Sequence, residues 1–318
     1  MAAWPLAART QQATKVPRVG NLITGSASSE AQSGLKAFRQ ALRELGYIEG
    51  QNVVIEYRSA DGRIERLPDL VRELIDLKVD VIVAGATPAG RAAHQATKTI
   101  PIIVSAMGDP IGDGFVASLA RPGGNVTGTT FLGPELVPKR LALLKELLPS
   151  ASRVAVLWHP GAFGDQTMKE MQKEIGDAAG PLGLQLQFSP AHNLDELDGA
   201  FATIAASRPE AIFQFPSPVL YAERRRIVEL AAKYRIPAMY NAREFVEAGG
   251  LIGYGTNLDE LSRRGAMYVD RILKGAKPSE LPVEQPNRFE LVVNLKTARA
   301  LGLTIPPSIL ARADEVIE

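Results

Sequence analysis

Residues 79–130 read VDVIVAGATPAGRAAHQATKTIPIIVSAMGDPIGDGFVASLARPGGNVTGTT, and the rest of the chain is organised around them. Two short apolar runs, 81–84 and 102–104, each end in a turn of small, polar and proline residues. The turns are Gly85-Ala86-Thr87-Pro88 and Ser105-Ala106-Met107-Gly108-Asp109-Pro110. Each turn leads into a helix-like segment, the second spanning 112–120. Strand, loop and helix in repetition is the pattern of a parallel sheet, whose loops at the strand C-termini gather at one edge.

Upstream, 18–23 reads as a first strand, followed by a polar loop at 24–29. A helix then carries Leu35, Phe38, Leu42 and Leu45 on one face, and Gly46 stands where a left-handed cap is wanted. A β-branched strand at 53–57 and a helix with Leu67, Leu70, Val71 and Leu74 follow. Downstream, Pro122-Gly123-Gly124-Asn125 closes the first half and 126–131 reads as a crossing segment. The second half repeats the pattern, with strands at 154–158, 184–188, 211–215, 237–240 and 251–254. Its helices fall at 167–179, 194–207 and 221–234. A long amphipathic helix at 258–273, a strand at 290–294 and helical turns near 296–301 and 307–311 complete the chain. With 318 residues and ~150 residues per domain as the prior, the fold class is α/β. It is made of two doubly wound parallel-sheet lobes joined more than once.

The net charge of +1 gives no electrostatic reason to expect nucleic acid or an anionic membrane as partner. No cysteine is present, which excludes disulfides, thiolate metal sites and a cysteine nucleophile. No apolar run approaches the ~20 residues of a membrane span. Residues 1–12, MAAWPLAARTQQ, resemble the end of a secretory signal, with small residues ahead of a polar stretch. That points to a periplasmic protein; the other reading of the same stretch is a disordered soluble N-terminal tail.

His94, His159 and His192 lie in different segments without metal-ligand spacing, so no metal is expected. A Walker loop, a dinucleotide fingerprint and a nucleophile elbow are all missing, and no cofactor is expected. What remains is a set of strand-end loops with few polar groups, which suits recognition without turnover. In the first lobe these are Ser26, Thr87, Ser105 and Asp109; in the second, His159, Phe163, Ser217, Tyr240 and Glu244. Thr87 stands at a helix start, where its hydroxyl and the next amides suit either a ligand carboxylate or a cap. Asp109, kept extended by Pro110, suits either an ammonium or the N-cap of 112–120. Asn241 and Glu244 have the spacing of a capping box.

Residues 37–47, AFRQALRELGY, together with Glu49-Gly50-Gln51-Asn52, resemble the opening of the tryptophan/tyrosine-type ABC transporter substrate-binding proteins. So do Gly108-Asp109-Pro110, the run Ala120-Arg121-Pro122-Gly123-Gly124-Asn125-Val126-Thr127-Gly128, residues 243–250 (REFVEAGG) and residues 294–298 (NLKTA). The resemblance implies a type I periplasmic-binding fold with a three-segment hinge. Lobe 1 would take 16–127 and 256–285, and lobe 2 would take 130–254 and 287–318, with 1–15 a signal remnant. It also implies a protein that traps an aromatic amino acid or related small carboxylate and delivers it to the transmembrane subunits of an ABC permease; a monomer is expected. Family members often have Asn where His159 stands and an Asp-Pro pair near Pro216-Ser217-Pro218, so the second lobe offers different polar groups here. Two other readings use the same cleft: a two-domain enzyme and a ligand-sensing regulator.

Overall fold

The computed structural model describes residues 15–25 and 33–318. Ser26 and residues 1–12 lie outside them. The first half builds β1 (Arg18–Ile23), α1 (Ser33–Glu44), β2 (Val54–Ser59), α2 (Leu67–Asp76), β3 (Val81–Gly85), α3 (Ala86–Ala96), β4 (Ile102–Met107) and β5 (Val126–Thr130). The strands form one all-parallel sheet in the order β2-β1-β3-β4-β5. The second half continues with α4 (Val137–Leu147), β6 (Arg153–Trp158), α5 (Asp165–Ala179), β7 (Gln185–Pro190), α6 (Leu197–Ala206) and β8 (Ala211–Gln214). Next come α7 (Pro218–Ala222), α8 (Arg224–Lys233), β9 (Ala238–Tyr240), α9 (Arg243–Glu247), β10 (Ile252–Thr256) and α10 (Leu258–Leu273). The chain ends with β11 (Phe289–Asn294), α11 (Leu295–Leu301), α12 (Pro307–Leu310) and β12 (Glu315–Ile317). The second sheet runs β12-β11-β10-β9-β8-β6-β7 and is parallel except at β10–β11.

Helices cover both faces of each sheet, which is why the strands read as unbroken apolar runs rather than alternating ones. Val81 and Val83 pack with Phe38 and Leu42 of α1 and with Ala266 and Val269 of α10. Ile82 and Ala84 pack on the other face with Leu70 and Leu74 of α2 and Ala89 and Ala93 of α3. Each large apolar side chain so buried contributes roughly 1.5–3 kcal/mol. In the second sheet Val154 and Val156 meet α4 and α5, whereas Ala155 and Leu157 meet α6 and α8.

The chain passes between the sheets three times: after β5, after β10 and before β11. The crossings are laced together. Thr256 Oγ1 donates to the Phe131 carbonyl at 2.9 Å, and the Thr130 amide donates to the Glu284 carbonyl at 2.9 Å. Asn257 Nδ2 donates to Glu290 Oε1 at 2.9 Å. Arg140 of α4 is buried beside the first crossing and donates Nη2 to the Gly133 carbonyl at 3.1 Å. Its guanidinium lies 5.7 Å from the Phe213 ring centre, and burial lowers its pKa to about 9.

Four local expectations are revised. Residues 126–130 are not a crossing but the edge strand β5, paired with β4. No helix forms over 112–120. The turn after Pro110 is closed by amide bonds back to Asp109 and Pro110, and Gly114 has φ +73°. The helix expected over 221–234 is broken at Glu223 into α7 and α8. The expected capping box is absent: α9 begins after Ala242, and no side chain caps it.

The Pro-Gly-Gly-Asn-Val-Thr-Gly run is structural. Asn125 Nδ2 donates to the Thr97 and Ile100 carbonyls at 3.1 and 2.8 Å, tying the entry of β5 to the entry of β4. Thr127 Oγ1, buried, donates to the Leu281 carbonyl at 2.8 Å and so joins β5 to the chain leaving α10.

Candidate functional site

The first sheet changes winding direction between β1 and β3, because the chain runs outward to β2 before returning. A crevice opens at such a switch point, beyond the strand C-termini. A cavity of about 210 Å³ lies there, lined by Asn21, Ile23 and Thr24 after β1, Gly85 and Ala86 after β3, and Ser105 and Ala106 of β4. Leu35 and Phe38 of α1 and Leu258, Leu261 and Ser262 of α10 supply further wall. From the second lobe, Pro218, Tyr221 and Ala222 close it. It is somewhat smaller than the ~300–1,000 Å³ of pockets for drug-sized ligands.

Two alanines in this wall have left-handed backbone, Ala86 (φ +71°) and Ala106 (φ +61°). Such conformations cost non-glycine residues of order 1–3 kcal/mol and collect at ligand sites. At Ala106 the cause is a register shift between Val104 and Met107 in the β4–β5 pairing. The bulge turns Ser105 and Ala106 toward the cavity and is held by the Ala106 amide donating to Thr129 Oγ1 at 3.2 Å. At Ala86 the strained residue opens α3, an 11-residue helix whose N-cap, Gly85, offers no side-chain hydrogen bond. The first amides of α3, with the positive end of its dipole, therefore meet the cavity wall, which suits an anionic group.

Of the residues singled out in the sequence, Ser105 lines the cavity. Thr87, fully buried, accepts from the Gly108 amide at 3.1 Å, so its hydroxyl fixes the end of β4. Asp109 Oδ1 accepts from the Ile111 and Gly112 amides at 3.1 and 2.8 Å, capping the turn that replaces the expected helix. Ser217 Oγ accepts from the Leu220 amide at 3.2 Å and caps α7. These three side chains are engaged with backbone and do not line the cavity.

His159 is buried; its Nδ1 accepts from the Gly161 amide at 3.0 Å, and burial lowers its pKa. Phe163 stacks on Phe131 at 5.4 Å between ring centres. Both lie where the lobes touch: a methyl on Gly161 would stand 2.5 Å from Ile64 Cδ1, and one on Gly108 would stand 3.0 Å from Phe163. Tyr240 is buried, stacks on Phe245 at 4.9 Å, and has its pKa raised by burial.

Glu244 is the most perturbed acid of the site. Its Oε2 is buried without a hydrogen-bond partner, and burial lifts its pKa to about 7. Asp259 and Glu247 push it further up, and the Tyr221 hydroxyl pulls it down. Glu244 thus stands behind Tyr221, a cavity wall, rather than in the cavity itself. Trp158 Nε1 and Asn241 Oδ1 are likewise buried without partners, each at the C-terminal end of a strand of the second sheet.

The model of the ABC transporter substrate binding protein family matches residues 18–317. The chain belongs to this family. A tyrosine-binding protein of Clostridioides difficile (strain R20291) is 27% identical over 270 residues, 84% of this chain and 76% of that one. The structure of a conserved domain protein from Vibrio cholerae O1 superposes with a TM-score of 0.87 at 28% identity, covering 95% of this chain and all of that one. An ABC domain from Streptococcus pneumoniae in complex with L-Trp gives 0.85 at 28% identity over 95% and 99% of the two chains.

As a substrate-binding protein, this chain serves to hold a small solute for an ABC permease; the family is one of binding rather than catalysis. ABC substrate-binding proteins work outside the cytoplasm, and no helix among the described residues is long and apolar enough to cross a membrane. Sequence reasoning missed Asn21, Phe38, Tyr221, Leu261 and Ser262. Phe38 and Leu261 read as core positions of amphipathic helices. The close pairing of α1 with α10 turns the start of each toward the strand ends.

Proposed function

We propose that this substrate-binding protein traps an aromatic L-amino acid, or a related small carboxylate, between its lobes. The observation that carries this reading is the uncapped start of α3 beside a small, mainly apolar cavity. The amides at Ala86 and Thr87 receive the carboxylate, while Phe38, Leu261 and Tyr221 enclose the side chain. The two similar proteins described with tyrosine and L-Trp support the class of ligand. His159, Phe163 and Glu244 act around this site through the seam and through Tyr221. Thr87, Asp109, Ser217 and Tyr240 keep its walls in place.

In this reading the protein works in the periplasm as a monomer. It binds without turnover, and its lobes divide close to the boundaries that the resemblance implies, with all of β5 in lobe 1.

Thermal denaturation with L-tryptophan, L-tyrosine, L-phenylalanine, indole-3-acetate and tryptamine tests the proposal. A ligand at 100 times its Kd stabilises the native state by about 2.7 kcal/mol. Indole-3-acetate, which keeps the carboxylate, is expected to bind better than tryptamine, which lacks it. Ser105→Leu, which fills the cavity, should weaken binding of the best ligand at least about tenfold, measured by calorimetry. No shift with any of the five compounds would refute this ligand class.

A further inference from the structure

One contact between the lobes belongs neither to the cavity nor to the hinge. Asp113, in the loop between β4 and β5, has a side chain only 2% exposed. Its Oδ1 accepts from Arg91 Nη2 of α3 at 3.3 Å. Across the cleft stand the Gly164 amide and the Thr167 hydroxyl, at the start of α5. Burial raises the Asp113 pKa, and its Oδ2, like Thr167 Oγ1, is buried without a hydrogen-bond partner.

The approach is close. A methyl on Gly164 would fall 1.9 Å from Asp113 Oδ1 and 2.5 Å from Arg91 Nη2. Gly164 has φ −70° and ψ 159°, which alanine adopts readily, so proximity to Asp113 is what a side chain there violates. The 15-residue helix α5 has no side-chain cap of its own, so the positive end of its dipole faces the Asp113 carboxylate beside Gly164.

We propose that Asp113, held by Arg91, is a latch that caps α5 across the cleft and stabilises the closed lobes without touching the ligand. Arg91, Asp113, Gly164 and Thr167 do not line the cavity. The latch therefore sets affinity through the fraction of molecules in the closed form: the apparent Kd rises as that fraction falls. The proposal goes beyond the choice of ligand and applies whatever the solute is.

The cysteine-free chain permits a direct test. Arg72→Cys on α2 and Lys173→Cys on α5, whose side chains are 70% and 69% exposed, carry a spin-label pair across the cleft. Inter-label distances are measured by pulsed electron resonance with no ligand added, and circular dichroism checks the fold of each variant. The parent pair should show a population at the closed distance. Gly164→Ala should lower the closed-to-open ratio about tenfold or more, the size of a partly buried charge–dipole contact. Asp113→Asn, which keeps the shape and removes the charge, should lower it about threefold. A parent lacking the closed population, or a folded Gly164→Ala variant with the parent's distribution, overturns the latch. If Asp113→Asn fails to fold, Gly164→Ala alone decides. Because no ligand is present, failure here is distinguishable from failure of the amino-acid reading.

Discussion

Gly128→Ala is expected to destabilise the protein by about 4 kcal/mol, the upper range for single substitutions. Gly128 lies in β5 with φ +139°, a backbone conformation that side chains rarely adopt. A methyl there would stand 2.0 Å from the Val104 carbonyl oxygen and 2.8 Å from the Val104 carbon and nitrogen. These are main-chain atoms of the neighbouring strand, so no rotamer change relieves the overlap. The strands must separate, or β5 must leave the sheet. Either outcome disturbs the bulge at Ser105–Ala106 and the crossing before β11, because the Glu284 amide donates to the Gly128 carbonyl at 3.0 Å.

Urea denaturation measures the effect as a drop in midpoint at constant slope. Gly124→Ala, four residues earlier in the same run, is the control. Nothing lies within 4 Å of its added methyl, and a change within about 0.5 kcal/mol is expected. If Gly128→Ala behaved like Gly124→Ala, the close β4–β5 approach would be refuted.

The second large effect is electrostatic. Glu244 has its pKa raised from 4.5 to about 7 by burial. Between those values the native state holds a proton that the unfolded chain has released. Stability must therefore fall as pH rises through this window and level off above about pH 7. At 1.36 kcal/mol per pKa unit the full loss is about 3 kcal/mol. Glu244→Gln removes that slope and should be the more stable protein at pH 8 by up to about 3 kcal/mol. At pH 4, where both forms are neutral, the two proteins should converge.

Burial raises the Asp113 pKa as well, and its contribution runs in the same direction. The difference between wild type and Glu244→Gln, followed by thermal or urea denaturation from pH 4 to 8, isolates Glu244. Parallel stability curves would show that Glu244 is not buried as described. Because Glu244 bears on Tyr221, its ionisation also reaches the cavity wall, so ligand affinity should change over the same interval.

Much of the fold was legible because its signals are local. In 79–130 the apolar runs mark β3 and β4, and both faces of their sheet are covered by helices whose own apolar stripes are plain at a spacing of three to four residues. The family runs were equally plain, since they are contiguous. Their physical meaning was not. The Pro-Gly-Gly-Asn run resembles a linker when only its composition is considered. Yet Asn125 bonds two carbonyls more than twenty residues back, and Thr127 bonds one more than a hundred and fifty residues ahead.

The candidate site divided along the same line. Thr87, Asp109 and Ser217 are polar residues at strand ends, and in sequence such residues look alike whether they face a ligand or the backbone. Short side chains of this kind bond backbone amides readily, and here all three do: Asp109 and Ser217 take amides two or three residues on, and Thr87 takes the Gly108 amide at the end of β4. Ser105 faces the cavity because the β4 bulge turns it there, and the bulge depends on pairing with β5.

By itself, then, the sequence determined two winding α/β units, the family and the absence of cysteine, membrane-span and metal-site signals. Each of these depends on residue type and short-range period. Only the tertiary structure decided which face of 79–130 meets a ligand cavity. Phe38 and Leu261 stand more than two hundred residues apart, and their meeting follows from α10 returning to pack on α1. It also decided that Asp113 and Gly164 face each other across the cleft, since no local pattern encodes an approach between lobes.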